Sequence, residues 1–257
     1  MKSSRSLSPL STLSGLVVLT ITLLAAPRAW AYRPFTGTDA DVAELHDIEL
    51  EIGPVGYLRQ EGRGTVAAPA LIANWGFARD LELVLEGRQL IPLQPAPGEP
   101  RVQIVDTQLD VKWLMREGAL QEKTGPSVAT EWTILLPETG QSHVGAELAA
   151  IASLRWPALT LHANGNIAYT RERTLGLFGG LIAEGPGAWA VRPVAEAFVD
   201  REGPGATEWS GLAGAIWHFR PSLSFDAAAR LSWIRAAGAA TRAFELRAGL
   251  TWSFTIG

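Results

Sequence analysis

The chain has 257 residues, 47% of them hydrophobic and only 19% charged, with 26 glycines, 16 prolines, 10 tryptophans and no cysteine. A net charge of −4 offers no cationic field for a nucleic-acid backbone, which makes DNA and RNA poor partners. The missing cysteines exclude a disulfide scaffold, thiol catalysis and thiolate metal sites, and a charged content below the roughly 25% of soluble domains, with Trp and Gly in excess, points to the cell envelope.

Lys2 and Arg5 precede an apolar run from Leu16 to Ala26, and Ala29-Trp30-Ala31 supplies the small residues that a signal peptidase reads. Residues 1–31 are therefore expected to be a cleaved secretory signal peptide. The run, about 11 residues, is too short for a spanning helix, which needs about 20. Cleavage would remove the positive charges of Lys2, Arg5 and Arg28 and leave a more acidic exported chain. Residues 32–45 are then expected to be a periplasmic N-terminal segment and residues 46–257 the folded body. No later apolar stretch is long enough for a spanning helix.

From residue 46 onward the hydrophobic period is two, the period of strands with unlike faces. Ile48, Leu50 and Ile52 alternate with Glu49 and Glu51; Leu81, Leu83 and Leu85 with Glu82 and Glu86. Val105, Leu109, Val111 and Trp113 oppose Asp106, Gln108, Asp110 and Lys112. Trp132 and Ile134 flank Glu131's phase, Ala146 and Leu148 oppose Glu147, and Leu154 opposes Arg155. Leu159, Leu161, Ile167 and Tyr169 oppose His162, Asn164 and Asn166, whereas 173–184 is apolar and Gly-rich on both faces. Trp189, Val191, Ala195, Ala197 and Val199 oppose Arg192, Glu196 and Asp200; Trp209, Ala213, Ala215, Trp217 and Phe219 oppose Glu208 and His218. Leu223, Phe225, Leu231 and Trp233 oppose Asp226 and Arg230, and Phe244, Leu246, Leu250, Trp252 and Phe254 oppose Glu245 and Arg247. The pattern gives about twelve strands, each with an apolar and an ionic face.

The connections alternate. One set (59–65, 87–101, 137–143, 170–174, 200–207, 235–241) is polar or Pro/Gly-rich and is expected to form long loops; the other contains tight turns at 76–79, 156–158, 185–187 and 220–221, with 116–126 as a longer exception. Trp75, Trp113, Trp132, Trp156, Trp189, Trp217, Trp252 and Phe254 gather at the tight-turn ends, and Tyr57, Tyr169, Trp209, Trp233 and Phe244 lie towards the others. Two aromatic belts on an apolar face suit a lipid-facing barrel, with long loops outside and tight turns and the N-terminus on the periplasmic side. A soluble β-sandwich, the competing reading, would scatter Trp through a shared core. In lipid every backbone polar group needs a protein partner, and among β structures only a closed sheet supplies that. The expectation is an all-β, transmembrane, antiparallel up-and-down barrel in the bacterial outer membrane.

The segments YRPFTGTDADVAE (32–44), ELEIGPVGYLR (49–59), ANWGFARDLELVLEG (73–87) and ELRAGLTWSF (245–254) resemble small outer-membrane barrels labelled putative transporters of the MetA-pathway-of-phenol-degradation group. The resemblance implies barrel and location, with the barrel-assembly machinery as a biogenesis partner. It carries no site residue. Many such barrels end on an aromatic residue, whereas Thr255-Ile256-Gly257 follow Phe254 here.

The ionic faces supply the candidate pore lining: Glu49, Glu51, Glu82, Glu86, Asp106, Asp110, Lys112, Glu131, Glu147, Arg155, Arg192, Glu196, Asp226, Arg230, Glu245 and Arg247. Acids dominate the first six strands, and Arg192, Arg230 and Arg247 come from the last four, so a transverse field across a narrow polar lumen is one reading. The other is a lumen filled by ion pairs, with Arg247 meeting Glu49 or Glu51 where the last strand closes on the first. The functional expectation is passive passage of small solutes; the alternative is a non-conducting structural or adhesive barrel. A hydrolase is a minor alternative: His162-Ala163-Asn164 has Asn where outer-membrane phospholipases carry their nucleophile. His46, His143, His162 and His218 lack metal-ligand spacing, Phe178-Gly179-Gly180 is no phosphate loop, and Asp39 and Asp41 lack the rest of a calcium loop. Neither a metal nor a cofactor is expected.

Overall fold

A computed structural model describes residues 33–256 except residue 204. The expected signal peptide, 1–31, lies outside the described residues. The described residues form twelve strands: β1 (Asp47–Gln60), β2 (Arg63–Ala78), β3 (Leu81–Pro92), β4 (Gln103–Arg116), β5 (Ser127–Leu135), β6 (Gly145–Trp156), β7 (Leu159–Tyr169), β8 (Leu175–Glu184), β9 (Val191–Glu202), β10 (Ala206–Arg220), β11 (Leu223–Ala236) and β12 (Ala239–Thr255). Each is antiparallel to the next, and β12 closes on β1 through Ile48↔Phe254, Leu50↔Trp252 and Tyr57↔Leu246. The all-β, twelve-stranded antiparallel barrel read from the period-two pattern is the observed fold. Closure leaves no sheet edge, so the ladder satisfies the backbone along the whole circumference.

The distribution of side chains is inverted relative to a water-soluble domain. Arg192, Lys112, Glu51 and Glu82 are among the largest fully buried side chains, while Trp75, Trp113, Trp132, Trp156, Trp189, Trp209, Trp217, Trp233 and Trp252 are 41–56% exposed. Outward rings cluster at the end where β1 begins: Trp113 stacks on Trp132 at 6.2 Å, Trp217 meets Phe219 at 5.2 Å and Phe225 at 5.9 Å, and Trp252 meets Phe254 at 4.8 Å. Towards the opposite end, Trp209 and Trp233 are register partners, and Tyr57 and Phe244 share the outward phase with Leu246 and Leu231. Tyr169 is outward too, at the end of β7. In the ambiguous 173–184 segment, Leu175, Leu177 and Leu181 are outward and Phe178 lines the interior.

Loop lengths depart from the expectation. Two connections read as long, 59–65 and 235–241, are two-residue hairpins, with Glu61 and Gly62 at φ 51° and 81° and Ala237 and Gly238 at φ 47° and 83°. Both central residues at positive φ make the type I′ turn, whose twist matches the strands it joins. The polar flanks that suggested loops belong to the strands themselves. The 116–126 exception folds inward: a single 3₁₀ turn at Ala119–Gln121 buries Leu120 and bonds Leu120 N–H to Ser127 Oγ at 3.0 Å. A register shift between Ile52 and Val55 of β1 changes phase mid-strand, so that Glu49 and Glu51 on one side and Gly56, opposite Arg247, on the other share the inner face.

Candidate functional site: the barrel lumen

All sixteen charged residues singled out above project into the barrel, because each lies on the buried phase of its strand or lines an internal cavity. They form linked groups. Arg192 pairs with Glu184 at 2.8 Å, and Glu184 lies 3.6 Å from His162. Arg230 pairs with Glu196; Arg247 pairs with Glu245 at 2.9 Å, and Arg88 bridges Glu245 (3.4 Å) and Asp106. Glu86 accepts from Gln108 at 3.2 Å, and Gln108 is also 3.5 Å from Asp110; Glu147 accepts from Asn166 at 2.7 Å. Glu131 opposes Lys112 in register. The expected closure pair is not formed. Arg247 reaches Glu245 and the Pro34 carbonyl (2.9 Å), while Glu49 accepts from Ser253 (2.9 Å) and Glu51 from Asn74 (3.0 Å). Glu245, two residues away on the same face of β12, reaches the guanidinium with less rearrangement than a group across the seam.

Residues 33–45, the described part of the N-terminal segment expected at 32–45, run with His46 inside the barrel as a strap. They start at the end where β1 begins and reach mid-barrel, held largely by main-chain amides. Ala43 N–H donates to Glu82 (2.5 Å), Ala40 N–H to Ser153 Oγ (2.9 Å), Thr38 N–H to Asn164 Oδ1 (2.9 Å), and the N–H groups of Thr36 and Gly37 both to one oxygen of Glu196 (2.9 and 2.7 Å). Asn164 returns a bond from Nδ2 to the Thr38 carbonyl at 2.8 Å, and Arg33 N–H donates to Glu51 at 2.9 Å. Side chains add Asp39 to Lys112 at 3.6 Å and Arg33 to Asp226 at 3.8 Å. Irregular backbone removed from water must have its polar groups satisfied by protein, and the charged lumen does this one amide at a time.

Among the described residues, two cavities stand out in the lumen. The one towards the two-residue hairpins is about 460 Å³, with Arg33–Thr38 along its wall; the other, about 750 Å³, opens at the strap's rim against Asp39, Asp41–Leu45, Arg79, Asp80, Glu117 and Arg155. The first carries both signs around its wall, with Asp200, Glu208 and Glu245 beside Arg230 and Arg247, and Arg88 beside Glu86 and Asp106. Arg230 and Arg247 stand on β11 and β12, and Glu131 and Glu147 stand on β5 and β6, six strands away around a twelve-strand ring.

Solved structures share this fold. An outer membrane channel from Pseudomonas putida F1 aligns with 83% of this chain and 97% of its own at a TM-score of 0.58 and 9% identity. The KdgM porin aligns with 80% of this chain and 99% of its own at 0.51 and 10%. The likeness is one of fold. No protein-family profile matches the chain, and no curated protein matches it.

Three further groups line the interior whose pairing the sequence did not show. Phe178 and Phe198 face inward with ring centroids 5.2 Å apart, and the Arg230 guanidinium lies 4.8 Å from the Phe198 centroid. Phe198 lies two residues from both Glu196 and Asp200, on the ionic phase of its strand, and Phe178 falls in the segment that reads as apolar on both faces. Ser153, His162 and Glu184 form a chain, with Ser153 Oγ 2.7 Å from His162 Nδ1. Ser153 is fully buried and its oxygen already accepts the Ala40 N–H, so no carbonyl can approach it. Ser224 pairs similarly with His218 Nδ1 at 3.0 Å.

Proposed function

We propose that the protein is an outer-membrane channel or transporter for small solutes, in which the strap of residues 33–46 sets whether the lumen is open. The observation that carries this is the inverted barrel: an apolar, Trp-rich exterior that only lipid would solvate, closed around charged groups and two cavities. In this reading residues 1–31 direct export, the strap's rim faces the periplasm, and the barrel-assembly machinery inserts the chain. Kinship with the MetA-pathway group belongs to the same proposal. The test is electrical. The mature chain refolded into planar bilayers should give discrete conductance steps, and reversing Arg230 and Arg247 to Glu should move the reversal potential towards cations. Silence across salts and voltages would overturn the channel.

The density of ion pairs and the docked strap favour a second reading, a non-conducting structural barrel. It predicts that silence.

A further inference from the structure

The cavity towards the two-residue hairpins joins three chemistries that an unselective pore does not need. Register places Phe178, Asp200 and Glu208 in one row across β8, β9 and β10, and Phe198 beside Ser210 in the next inward row towards the strap. Arg230, one row deeper, reaches up over the Phe198 ring. Phe178, Phe198, Asp200, Glu208, Arg230 and Arg247 all line the same cavity.

The polar groups are incompletely satisfied. Arg230, 3% exposed, gives Nη1 to Ser210 (2.9 Å) and Nη2 to Glu196, and its Nε has no hydrogen-bond partner among the described residues. The Nε of Arg247 is in the same state. A buried guanidinium N–H without an acceptor bears a desolvation penalty that an anionic oxygen would relieve. Asp200 and Glu208 are direct register partners, and neither forms a salt bridge among the described residues. Two carboxylates directly across a strand pair repel until a cation sits between them. Residues two apart on one face of a strand are separated by roughly 6.6 Å, so the acid pair and the guanidinium flank the Phe198 ring within the reach of a small molecule.

We propose that this constellation binds a small zwitterion bearing an apolar group, an α-amino acid with a large apolar side chain being the simplest member. The carboxylate takes the free Nε of Arg230, with Arg247 adding positive potential. The ammonium group sits between Asp200 and Glu208, and the apolar group packs on Phe178 and Phe198. A cavity of about 460 Å³ is in the range of small-molecule sites. The inference rests on the channel reading for its purpose, naming the solute class, but not for its binding test.

That test is calorimetric titration of the mature protein in detergent with L-phenylalanine, with 3-phenylpropanoate, which lacks the ammonium, and with phenethylamine, which lacks the carboxylate. L-Phenylalanine should bind at least tenfold more tightly than either analogue. In the Asp200→Asn/Glu208→Gln double variant its affinity should fall to that of 3-phenylpropanoate. Equal binding of all three compounds, or none to the folded barrel, overturns the proposal, and this comparison on the unaltered protein stands even if the variant fails to fold. Binding with a silent bilayer would remove the channel and keep the site; conductance without selective binding would do the reverse.

Discussion

Replacing Gly76 by Ala tests the strap without touching the lumen's charges. Gly76 lies near the end of β2, and a Cβ there would stand 1.9 Å from the Glu44 carbonyl oxygen and 2.5 Å from that of Ala43, where 3.0 Å is the closest approach real Cβ atoms make. The backbone at 43–44 must therefore retreat by more than about 1 Å, which close packing absorbs only by breaking contacts. Two hydrogen bonds are nearest: Ala43 N–H to the Glu82 carboxylate and His46 N–H to the Gly76 carbonyl at 2.8 Å. A hydrogen bond to a charged group is worth about 1.5–3 kcal/mol and a neutral one about 0.5–1.5, so the strap's docking should weaken by roughly 2–4.5 kcal/mol, about 30- to 2,000-fold in its undocked population. Ala is otherwise more favourable than Gly in a strand, so the barrel itself should not suffer. The control is Gly179→Ala, where a Cβ meets nothing within 4 Å. Amide exchange of residues 36–43, followed by mass spectrometry in detergent, should accelerate by that factor in Gly76→Ala and stay at the original rate in the control. Equal exchange in both variants would refute the account of how the strap is held.

The lack of native cysteine permits a clean lock. A Cβ on Gly37 would lie 3.1 Å from Asn164 Cγ, where a cysteine sulfur would sit, so Gly37→Cys/Asn164→Cys should form a disulfide. Oxidised, the pair should cancel any conductance gained by Gly76→Ala, and reductant should restore it; a gain that survives oxidation would separate the strap from gating. Glu196→Gln leaves an acceptor for the Thr36 and Gly37 amides but strips Arg230 of its buried counter-ion, a loss of about 3–5 kcal/mol that should lower the urea midpoint in detergent. An unchanged midpoint would remove that pair from the barrel's stability. Burial, then the neighbouring Asp39, raises the Asp41 carboxyl above the ordinary 3.8, against weaker lowering by Gln121 and Lys112. The docked state thus holds its proton longer than the free chain, and its contribution is full below pH 3.8 and lost as pH rises through the raised value. Protection factors of the strap amides should fall across that window, and Asp41→Asn should flatten the profile; a slope that persists in the variant would assign it to another group.

The barrel was legible because alternation is a local signal. Leu81–Glu86 or Asp226–Trp233 each reveal two faces within a few residues, and a charged face beside a Trp-rich one decides which is inside. Pairing within the lumen was not legible, since it depends on stagger between strands. Glu196 finds Arg230 two strands away, and Arg247 finds Glu245 on its own strand. The strap left no periodic trace in Arg33–His46 because it is irregular and held through N–H groups that every residue but proline carries. Only its density of small residues, Thr36-Gly37-Thr38 and Ala40, fits a path through a crowded interior. Phe178 was not legible because residues 173–184 are apolar and Gly-rich on both faces, whereas the inward direction of Phe198 could have been read from its phase with Glu196 and Asp200.

The strap also orders the assembly of the molecule. Its partners come from β1, β2, β3, β4, β6, β7, β9, β11 and β12, at sequence separations that reach 215 residues between Arg33 and Ala248. Contacts so distant along the chain form late, because the intervening loop must first be closed by other structure. The residues that open the folded body are thus the last to reach their places, after the final strand has met the first.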